Sequence, residues 1–587
     1  MTRIFAGLAI ALSIATAAPA HAWDPSRTHV GITERAVATS DVHRRWMEGS
    51  GQELGWFSPI RLDPNALDPD TRRMLLVAMR LAHADVGSIA AGGPGACPPQ
   101  PAPSETLQRC VDGDLWETSA LGWLRIGIAL ESADRTRLLH HFVDATDPSA
   151  TTWRAAGRRR STWRRIERRA GGGAATRIGG AGFSGTAQSA IGWLQSDADP
   201  FGPAALFAHQ RSAALASTPA ERDRHLALAL VATGALLHVV QDLAVPAHAR
   251  GDLLGTRVPL SSVYGDRGSP LAEYARITFG RTMPAPLPLT TRNETVPPAT
   301  SMRELLLGGT AREGLVELAA TRFLSDGSLP APKLIDTALD GAAAATAWLG
   351  EGGAGLDAQE REGAVLAPWP AESGYLRTRN GRALAAWTAD EDGLVRGYID
   401  RRVLREHALV LLPAAVQASV DTLELLWPLW PEMRHDAARN ILELDADAAL
   451  TGRELTVLVH TPDDRRNVVR RVALLEGSSR IRDITPAALP KGAHVVLVIS
   501  GRRADGQQVL IERRLDAEAT PTAVVGPPGT PPPAVEEDVE DPDVDDEDPE
   551  ADAPAAESDP AEPGPAKPEP AKPEPAKPEP AKPAAPP

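Results

Sequence analysis

The sequence predicts a mainly α-helical protein, with a multi-helical domain over 23–435, a small β-rich domain over 436–516 and a disordered tail over 517–587. Three observations lead to this expectation. Apolar residues recur at helical spacing through several long segments of the first part. From about Ile441 the pattern changes to short runs rich in Val, Ile and Leu between turn signals. From about Thr520 onwards Pro, Ala, Glu and Asp dominate, a composition that cannot bury a core.

The first 22 residues have the pattern of a secretory signal peptide. Arg3 supplies the positive start, Ile4–Ala17 the apolar core, and Ala20–Ala22 a small-x-small cleavage site. The apolar core is too short to anchor the chain in a bilayer, and we find no later apolar run long enough to span one. We therefore expect an exported protein, periplasmic or extracellular, that begins at Trp23.

The net charge of -16 is concentrated at the carboxyl end. From Pro521 onwards there are eighteen acidic residues and four Lys, so the preceding 520 residues carry 59 acidic and 57 basic side chains. The folded part is therefore close to neutral, and its overall charge does not indicate attraction to nucleic acid or anionic lipid. The tail is expected to be extended and polyproline-like.

The two cysteines, Cys97 and Cys110, flank a Pro-rich loop within a segment rich in Gly and Pro, 91–112. Outside the cytoplasm they are free to pair. Two cysteines do not complete a zinc-thiolate site, so that role is disfavoured.

Helical spacing and β-rich runs place the elements in chain order. The expected helices are Thr71–Asp85, about Leu115–Glu131, Gly192–His225, Arg303–Ala320, Lys333–Leu349 and Val403–Leu426. Pro413 is expected to kink the last of these. The expected strands are Leu455–His460, Val468–Leu475, Val495–Ile499 and Val509–Arg513.

The most informative stretch follows an apolar run, His225–Leu237, that predicts a buried helix. His238 and Asp242 are four residues apart, so a helix presents them on the same face. Pro246 interrupts the helix and lets the chain turn, which can bring His248 back beside them. Buried imidazole and carboxylate groups need partners or a cation, and both are good zinc ligands. The alternative is a helix with two core histidines and a capping Asp.

The spacing His-x3-Asp-x5-His, with Pro two residues before the last His, resembles the zinc-dependent phospholipase C and fungal single-strand nuclease family. The resemblance implies an all-helical fold and a cluster of three zinc ions. It also implies further ligands upstream in a fixed order, against which the chain can be compared.

Four upstream residues match that order: Trp23, His29, Asp85 and His141. In the family the mature N-terminal Trp binds zinc through its amine and carbonyl; otherwise Trp23 is an aromatic beside a cleavage site. Asp85 could instead be a solvated helix-end residue, with His83 as a neighbouring alternative.

The segment His140-His141-Phe-Val-Asp144 resembles the family's next ligand segment, which favours His141 over His140. Asp144 is expected to orient a histidine or to cap a turn.

The downstream match is poorer. Glu273 corresponds to the family's last carboxylate ligand, but Ser269 stands where the imidazole should be, and a one-residue slip would place Ala272 at the carboxylate position. Asp252 and Asp266 are possible substitutes. The resemblance therefore implies two or three zinc ions, with the third weakly held or missing.

Residues 149–185 form an insertion, in which Trp153–Arg169 carries eight arginines and two tryptophans before a Gly-rich run. Arginine can bind phosphate in a bidentate manner and Trp can stack on a base, so one interpretation is a phosphate-binding rim of the active site. The other is a solvated, mobile insertion, which is the usual role of such runs.

The resemblance implies how the ligands are shared. Asp242 would bridge two metals, one completed by Asp85, His141 and His238, the other by Trp23 and His29. Asp85 and Asp242 would be catalytic, because a carboxylate beside metal-activated water can orient it or accept its proton.

The function implied is that of an exported zinc-dependent phosphoesterase. Its substrate would be a phosphodiester, either a phospholipid or a single-stranded nucleic acid, attacked by metal-activated water. The alternative is a non-catalytic exported binding or envelope-associated protein on a degraded hydrolase fold.

Overall fold

The structure of this chain is a computed structural model that describes residues 23, 27–49, 54–85, 115–133, 137–144, 146–154, 186–197, 199–252, 270–278, 297–428, 432–445, 450–474, 478–486, 488–503 and 505–515. All of these belong to one unit, Met1–Thr522. The predicted signal peptide, both cysteines, residues 155–185 of the insertion, Asp266, Ser269 and the predicted tail lie outside the described residues.

The described part is a mixture of helices and small antiparallel sheets. Its α-helices are α1 Thr28–Thr39, α2 Val42–Gly49, α3 Pro69–Asp85, α4 Ala120–Ala133, α5 Ala190–Leu194, α6 Pro203–Leu215, α7 Pro219–Asp242, α8 Pro246–Ala249, α9 Pro270–Thr278, α10 Met302–Leu307, α11 Leu315–Thr321, α12 Gly341–Leu349, α13 Ala358–Glu362 and α14 Arg401–Leu426.

The strands form five sheets within the described part. They are β1 Pro59–Leu62, β2 Trp116–Ser119, β3 Thr152–Arg154, β4 Thr186–Gln188, β5 Lys333–Leu334, β6 Val365–Ala367, β7 Ser373–Arg377, β8 Ala383–Ala389, β9 Leu394–Tyr398, β10 Glu432–Asp436, β11 Ile441–Asp445, β12 Leu450–His460, β13 Arg466–Ala473, β14 Ser478–Arg482, β15 His494–Arg503 and β16 Gln508–Leu515. Their orders are β1-β2, β3-β4, β5-β9-β8-β7-β6, β10-β11-β14 and β13-β12-β15-β16.

Helix α7 lies at the centre of the helical part and packs on α4, α6 and α14. Thr218 caps its start by accepting a hydrogen bond from the backbone of Glu221, and Pro219 occupies its first turn. Two glycines let α7 and α4 approach closely, because a Cβ at Gly127 or Gly234 would lie about 2 Å from a carbonyl oxygen of the other helix. This close crossing brings the side chains of α7 within reach of the α4 backbone.

Two described helices, α7 and α14, are long and apolar enough to cross a membrane by length and composition alone. The expectation that no later run reaches this length was wrong. In α7, 89% of the apolar window is buried inside the protein, and in α14, 61%. That is the environment of core helices, which are apolar all round because they pack on other elements.

The largest correction to the sequence expectation is a five-stranded sheet over Lys333–Tyr398, within the stretch expected to be helical. The predicted helix Lys333–Leu349 is β5, a connection, and α12. Hairpin signals were available, since Gly381 and Gly393 both adopt positive φ after Asn or Asp. A search for helical periodicity does not detect strands this short, and the longest of them, β8, is rich in alanine, a good helix former.

Other predicted helices have different boundaries in the structure, for local reasons. The predicted helix Arg303–Ala320 is two helices, α10 and α11, because Gly308 ends α10 with a φ of 79°. Leu115–Glu131 begins with β2, which pairs with β1. Gly192–His225 divides into α5, α6 and the start of α7.

The remaining predicted helices and most of the predicted strands are confirmed, whereas Val468–Leu475 overlaps β13, which ends at Ala473. Thr71–Asp85 lies within α3, and Val403–Leu426 lies within α14, which continues as one helix through Pro413. After Trp427 the described elements are all strands; the change of period predicted strands from about Ile441, and β10 lies before that point. The four-stranded sheet contacts the helical part through Phe207 of α6, which joins an apolar cluster with Leu458 and Val496.

Candidate metal centre

The carboxylate of Asp242, at the end of α7, is surrounded by four imidazoles, and all five side chains are fully buried. The distances to Asp242 are 3.0 Å from His29 Nε2 to Oδ1, 2.5 Å from His141 Nδ1 to Oδ2, 3.3 Å from His238 Nε2 to Oδ2 and 4.0 Å from His248 Nδ1 to Oδ2. The structure therefore brings together the four histidines that the sequence singled out.

Each histidine comes from a different local element. His29 lies in the first turn of α1, and His141 ends a short 3₁₀ helix, Arg137–His141. Pro246 begins α8 and so carries His248 back towards α7, as expected. The backbone amide of Val143 donates to the carbonyl of His248 and ties this turn to the 3₁₀ helix.

Three of the imidazoles donate from Nδ1 to a fixed acceptor. His238 Nδ1 lies 2.9 Å from the carbonyl oxygen of Ile128 on α4, a contact that the close crossing of α4 and α7 allows. His248 Nδ1 lies 3.0 Å from the carbonyl oxygen of His141, and His29 Nδ1 lies 2.7 Å from Oε1 of Gln241.

Gln241 presents its oxygen to His29 because its amide nitrogen is used elsewhere. Nε2 of Gln241 donates to Oγ1 of Thr33 at 2.8 Å and lies 3.2 Å from Oγ of Ser419. An amide or carbonyl oxygen can only accept, so the proton of each of these three imidazoles resides on Nδ1. In the neutral imidazole, Nε2 of each ring then carries the lone pair.

The Nε2 atoms of His29, His238 and His248 are buried and have no hydrogen-bond partner among the described residues. The same holds for Oδ1 of Asp242. A buried lone pair that faces a carboxylate oxygen is repelled by it unless a cation lies between them. Imidazoles that donate their other nitrogen to an outer acceptor are the usual arrangement around a bound metal, so this donor set fits zinc.

The ligand atoms fall into two buried groups that share Asp242. One contains His29, His238 and Asp242, and the other contains His141, Asp242 and His248; within each group all ligand atoms lie within 4.8 Å of one another. The shared carboxylate is as the resemblance implied. The pairing of histidines differs, because His238 was expected beside His141 and instead stacks on His29 with ring centroids 3.8 Å apart.

A charged pair lies behind His141. Nε2 of His141 is 3.3 Å from Oε2 of Glu131, and Glu131 forms two hydrogen bonds with Arg137, which also pairs with Asp199. Burial would raise the pKa of Glu131, but Arg137 and His141 bring it down to about 2. Burial would likewise lower the pKa of His141, but its hydrogen bonds to Asp242 and Glu131 raise it to about 9.

His238 and His248 are in the neutral form that binds metal. Burial lowers the pKa of His238 to about 4, and the neighbouring His29 adds to this. Burial also lowers the pKa of His248 to about 4. Burial would raise the pKa of Asp242, but the hydrogen bond that it accepts from Nδ1 of His141 helps to hold this pKa well below the usual range of an Asp, so the carboxylate is ionised.

The choice of His141 over His140 agrees with the structure, because the ring of His140 lies near Trp193, with centroids 6.4 Å apart. Asp144 accepts hydrogen bonds from the backbone and hydroxyl of Thr146, so it caps a turn as one alternative proposed. Trp23 is fully buried, and its indole nitrogen donates to the carbonyl of Gln241 at 2.8 Å.

Three predicted ligands, Trp23, Asp85 and Glu273, belong to neither group. The backbone of Asp85 ends α3, but its side chain, like that of His83, lies outside the described residues. Glu273 is bound on its own helix by Arg276, at 2.6 and 2.7 Å. Asp252, a possible substitute, accepts from Oγ of Ser325 and from the backbone of Gly327.

The insertion contributes one described aromatic, and it is not an exposed stacking platform. Trp153 is fully buried and stacks on Phe142, which stacks on His248 with centroids 4.1 Å apart. Trp153 therefore packs on the side of Phe142 and contacts the imidazole of His248 only through that ring. The proposed base-stacking role does not apply to Trp153.

Sequence reasoning missed Glu131 and Gln241. The available signal was chemical: Glu131 stands near the end of a largely apolar helix, and Gln241 lies inside the buried helix that carries the motif. A lone polar residue in a buried helix must find a partner. Which partner it finds depends on tertiary contacts that spacing does not reveal.

No protein-family model matches this chain, and neither a curated protein nor a solved structure does.

Proposed function

We propose that this protein is an exported zinc-dependent phosphoesterase, related to the zinc-dependent phospholipase C and fungal single-strand nuclease family. One observation carries the proposal. A fully buried carboxylate, Asp242, is shared by two groups of imidazoles whose Nε2 lone pairs include three without a hydrogen-bond partner in the described part. A purely structural cluster would pair those atoms with each other or with donors.

Two zinc ions would be held around Asp242. His29 and His238 would bind one, and His141 and His248 the other, with Asp242 between them. Further ligands come from the resemblance alone: the amine and carbonyl of Trp23 and the carboxylate of Asp85. Three ions would require a third site near Glu273, and its bidentate pairing with Arg276 supports a cluster of two.

Bound zinc would supply Lewis-acid charge that activates water near neutral pH and neutralises the developing charge on a phosphate oxygen. The residues of the chain set the geometry. Glu131 orients the ring of His141, Gln241 orients His29, and the carbonyl of Ile128 orients His238. Apolar packing on α4, α7 and α14 keeps bulk water away from the ligands.

The substrate class we propose is a phosphodiester, either a phospholipid or a single-stranded nucleic acid. Export fits the ligand chemistry, since a terminal amine at Trp23 exists only after the signal peptide is removed. The second candidate is a non-catalytic exported binding protein, and the pairing of Glu273 with Arg276 favours it because this carboxylate is not free to bind metal.

Hydrolysis of bis(p-nitrophenyl) phosphate by the mature, zinc-loaded chain tests the proposal, with phosphatidylcholine vesicles and single-stranded DNA as further substrates. Asp242→Asn should abolish hydrolysis, with a loss of at least about 1,000-fold, because the amide cannot bridge two cations.

The matched control for this variant is Asp421→Asn. Asp421 is another buried carboxylate; it forms an ion pair with Arg312 at a distance of 2.8 Å and belongs to neither ligand group. It should keep its activity. Wild-type protein that binds zinc but hydrolyses none of the three substrates would favour the binding-protein candidate.

A further inference from the structure

Three buried rings, those of His248, Phe142 and Trp153, form a continuous stack beside the ligand group of His141, Asp242 and His248. The imidazole of His248 lies on the ring of Phe142 with centroids 4.1 Å apart and an interplanar angle of 11°. The indole of Trp153 lies on the same ring with centroids 4.5 Å apart and an angle of 25°. Two rings this close cannot share one face, so Phe142 is held between the imidazole and the indole.

The backbone holds Phe142 in place relative to His248. The amide of Val143 donates to the carbonyl of His248 at 3.3 Å, and the carbonyl of Phe142 accepts from the amide of Ala190 at 2.8 Å. A hydrogen bond from Nδ1 of His248 to the carbonyl of His141, at 3.0 Å, fixes one edge of the imidazole. That bond alone leaves the ring free to rotate about its own direction. The flat contact with Phe142 removes this freedom and so fixes the direction of Nε2.

The stack should be stronger when His248 holds a metal ion. Nε2 of His248 is buried and has no hydrogen-bond partner in the described part of the chain. The face of a benzene ring is negative and attracts positive charge. An imidazole whose Nε2 binds a divalent cation takes up part of that positive charge, whereas a free neutral imidazole does not. Phe142 therefore stabilises the metal-bound form of His248 more than the metal-free form.

We propose that Phe142 is a positioning residue for the metal ion bound by His248, and that Trp153 holds Phe142 in place from its other face. The inference rests on the proposed function, because it requires an ion at His248. The coupling is reciprocal: if Phe142 raises the affinity for the ion, the ion stabilises the packing of Phe142. Trp153 lies on β3, which pairs with β4, so the ion should also stabilise this two-stranded sheet.

Zinc titration of the mature, metal-free chain tests the inference, with native mass spectrometry counting the bound ions at each zinc concentration. Phe142→Leu keeps an apolar side chain and removes the flat face. It should lower the affinity for the ion that His248→Gln removes by about 3- to 10-fold, the usual contribution of an aromatic stack, and leave the other ion unchanged. Trp153→Leu should lower the same affinity by about 2-fold or more, and Trp153→Phe, which retains a ring, should restore most of it.

The matched control is Phe323→Leu. Phe323 is also fully buried and also contacts a histidine, His407, with ring centroids 5.0 Å apart, but His407 belongs to neither ligand group. This variant should lose stability in urea unfolding and bind both ions as the wild type does. If Phe142 only filled space in the core, the two variants would behave alike.

Hydrogen exchange gives a second readout that does not depend on catalysis. Zinc should slow amide exchange in β3 and β4 of the wild type by about 3-fold or more, since the ion and the stack stabilise each other. The effect should be smaller in Phe142→Leu. Should this variant fail to fold, as judged by circular dichroism, Trp153→Leu carries both measurements.

The inference is overturned if Phe142→Leu binds both ions with wild-type affinity, if Phe323→Leu weakens zinc binding equally, or if the wild type binds no ion at His248. Its failure can be distinguished from failure of the proposed function. Two ions bound equally well by the wild type and Phe142→Leu overturn this inference alone. Zinc binding that depends on Phe142, without hydrolysis of any of the three substrates, overturns the proposed hydrolase function alone.

Discussion

Nε2 of His29 lies 3.0 Å from Oδ1 of Asp242, yet neither atom has a hydrogen-bond partner among the described residues. The proton of His29 resides on Nδ1, where Gln241 accepts it. Two electron-rich atoms are thus held at contact distance in a fully buried site. A cation bound by both atoms explains the approach, and His238 offers the same arrangement on the other carboxylate oxygen.

The two groups around Asp242 predict how substitutions divide the metal content. His238→Gln should remove the ion shared with His29, and His248→Gln should remove the ion shared with His141, so each variant keeps one zinc. Asp242→Asn should lower the zinc occupancy of both sites. Native mass spectrometry of the reconstituted variants counts the ions directly, and a loss of both ions in either histidine variant would contradict two separate groups.

Glu131 is predicted to be a positioning residue that acts through His141. Glu131→Gln removes the fully buried negative charge that pairs with Arg137. It also weakens the hydrogen bond that residue 131 accepts from Nε2 of His141. We expect zinc affinity to fall about 10- to 100-fold and the free energy of unfolding to fall by about 3 kcal/mol. Chelator competition and urea unfolding measure the two effects.

The control for this prediction is Glu360→Gln, which breaks a partly buried pair with Arg382. That variant should lose some stability and keep its zinc affinity. If Glu131→Gln lost stability alone, with wild-type zinc affinity, the residue would have only a structural role.

Acid destabilisation of the metal-free protein is predicted to depend on His407. This histidine is buried in α14 against Phe323, and burial lowers its pKa to about 3, with Arg382 adding to the effect. Its unfolded pKa is about 6.5, so the unfolded chain binds the proton first. The stability that neutral His407 contributes is therefore present above pH 6.5 and is lost as pH falls towards 3.

His407→Leu should make the free energy of unfolding less dependent on pH in that window, by up to about 1.4 kcal/mol per pH unit. Urea titrations of the chelated protein at pH 7.5 and pH 5 give the comparison. Parallel pH slopes for the two proteins would show that His407 takes up its proton in the folded state as readily as in the unfolded chain.

The ligand cluster was predictable from sequence to the extent that it depends on local spacing. His238 and Asp242 are four apart on a helix, and Pro246 returns the chain, so His248 follows from local geometry. His29 and His141 required the resemblance, because nothing in their neighbourhoods places them beside Asp242. Which histidines lie side by side depends on tertiary contacts: the carbonyl of Ile128 fixes the ring of His238 beside that of His29.

The fold was predictable where one period extends over many residues. Helix α14 and the long strands β12 and β15 agree with their patterns. The sheet over Lys333–Tyr398 was missed because its strands are short and its longest strand, β8, is rich in alanine; the turns at Gly381 and Gly393 were the sequence signals for it. Short strands acquire their stability from pairing and burial, which a local pattern does not encode.

Zinc content per chain tests the central claim most directly. The measurement is elemental analysis of exported protein whose N-terminus has been confirmed as Trp23, before and after reconstitution with zinc. Two ions per chain, or three if a third site forms, is the predicted result. Zero or one ion after reconstitution would contradict the shared-carboxylate cluster and the hydrolytic function that rests on it.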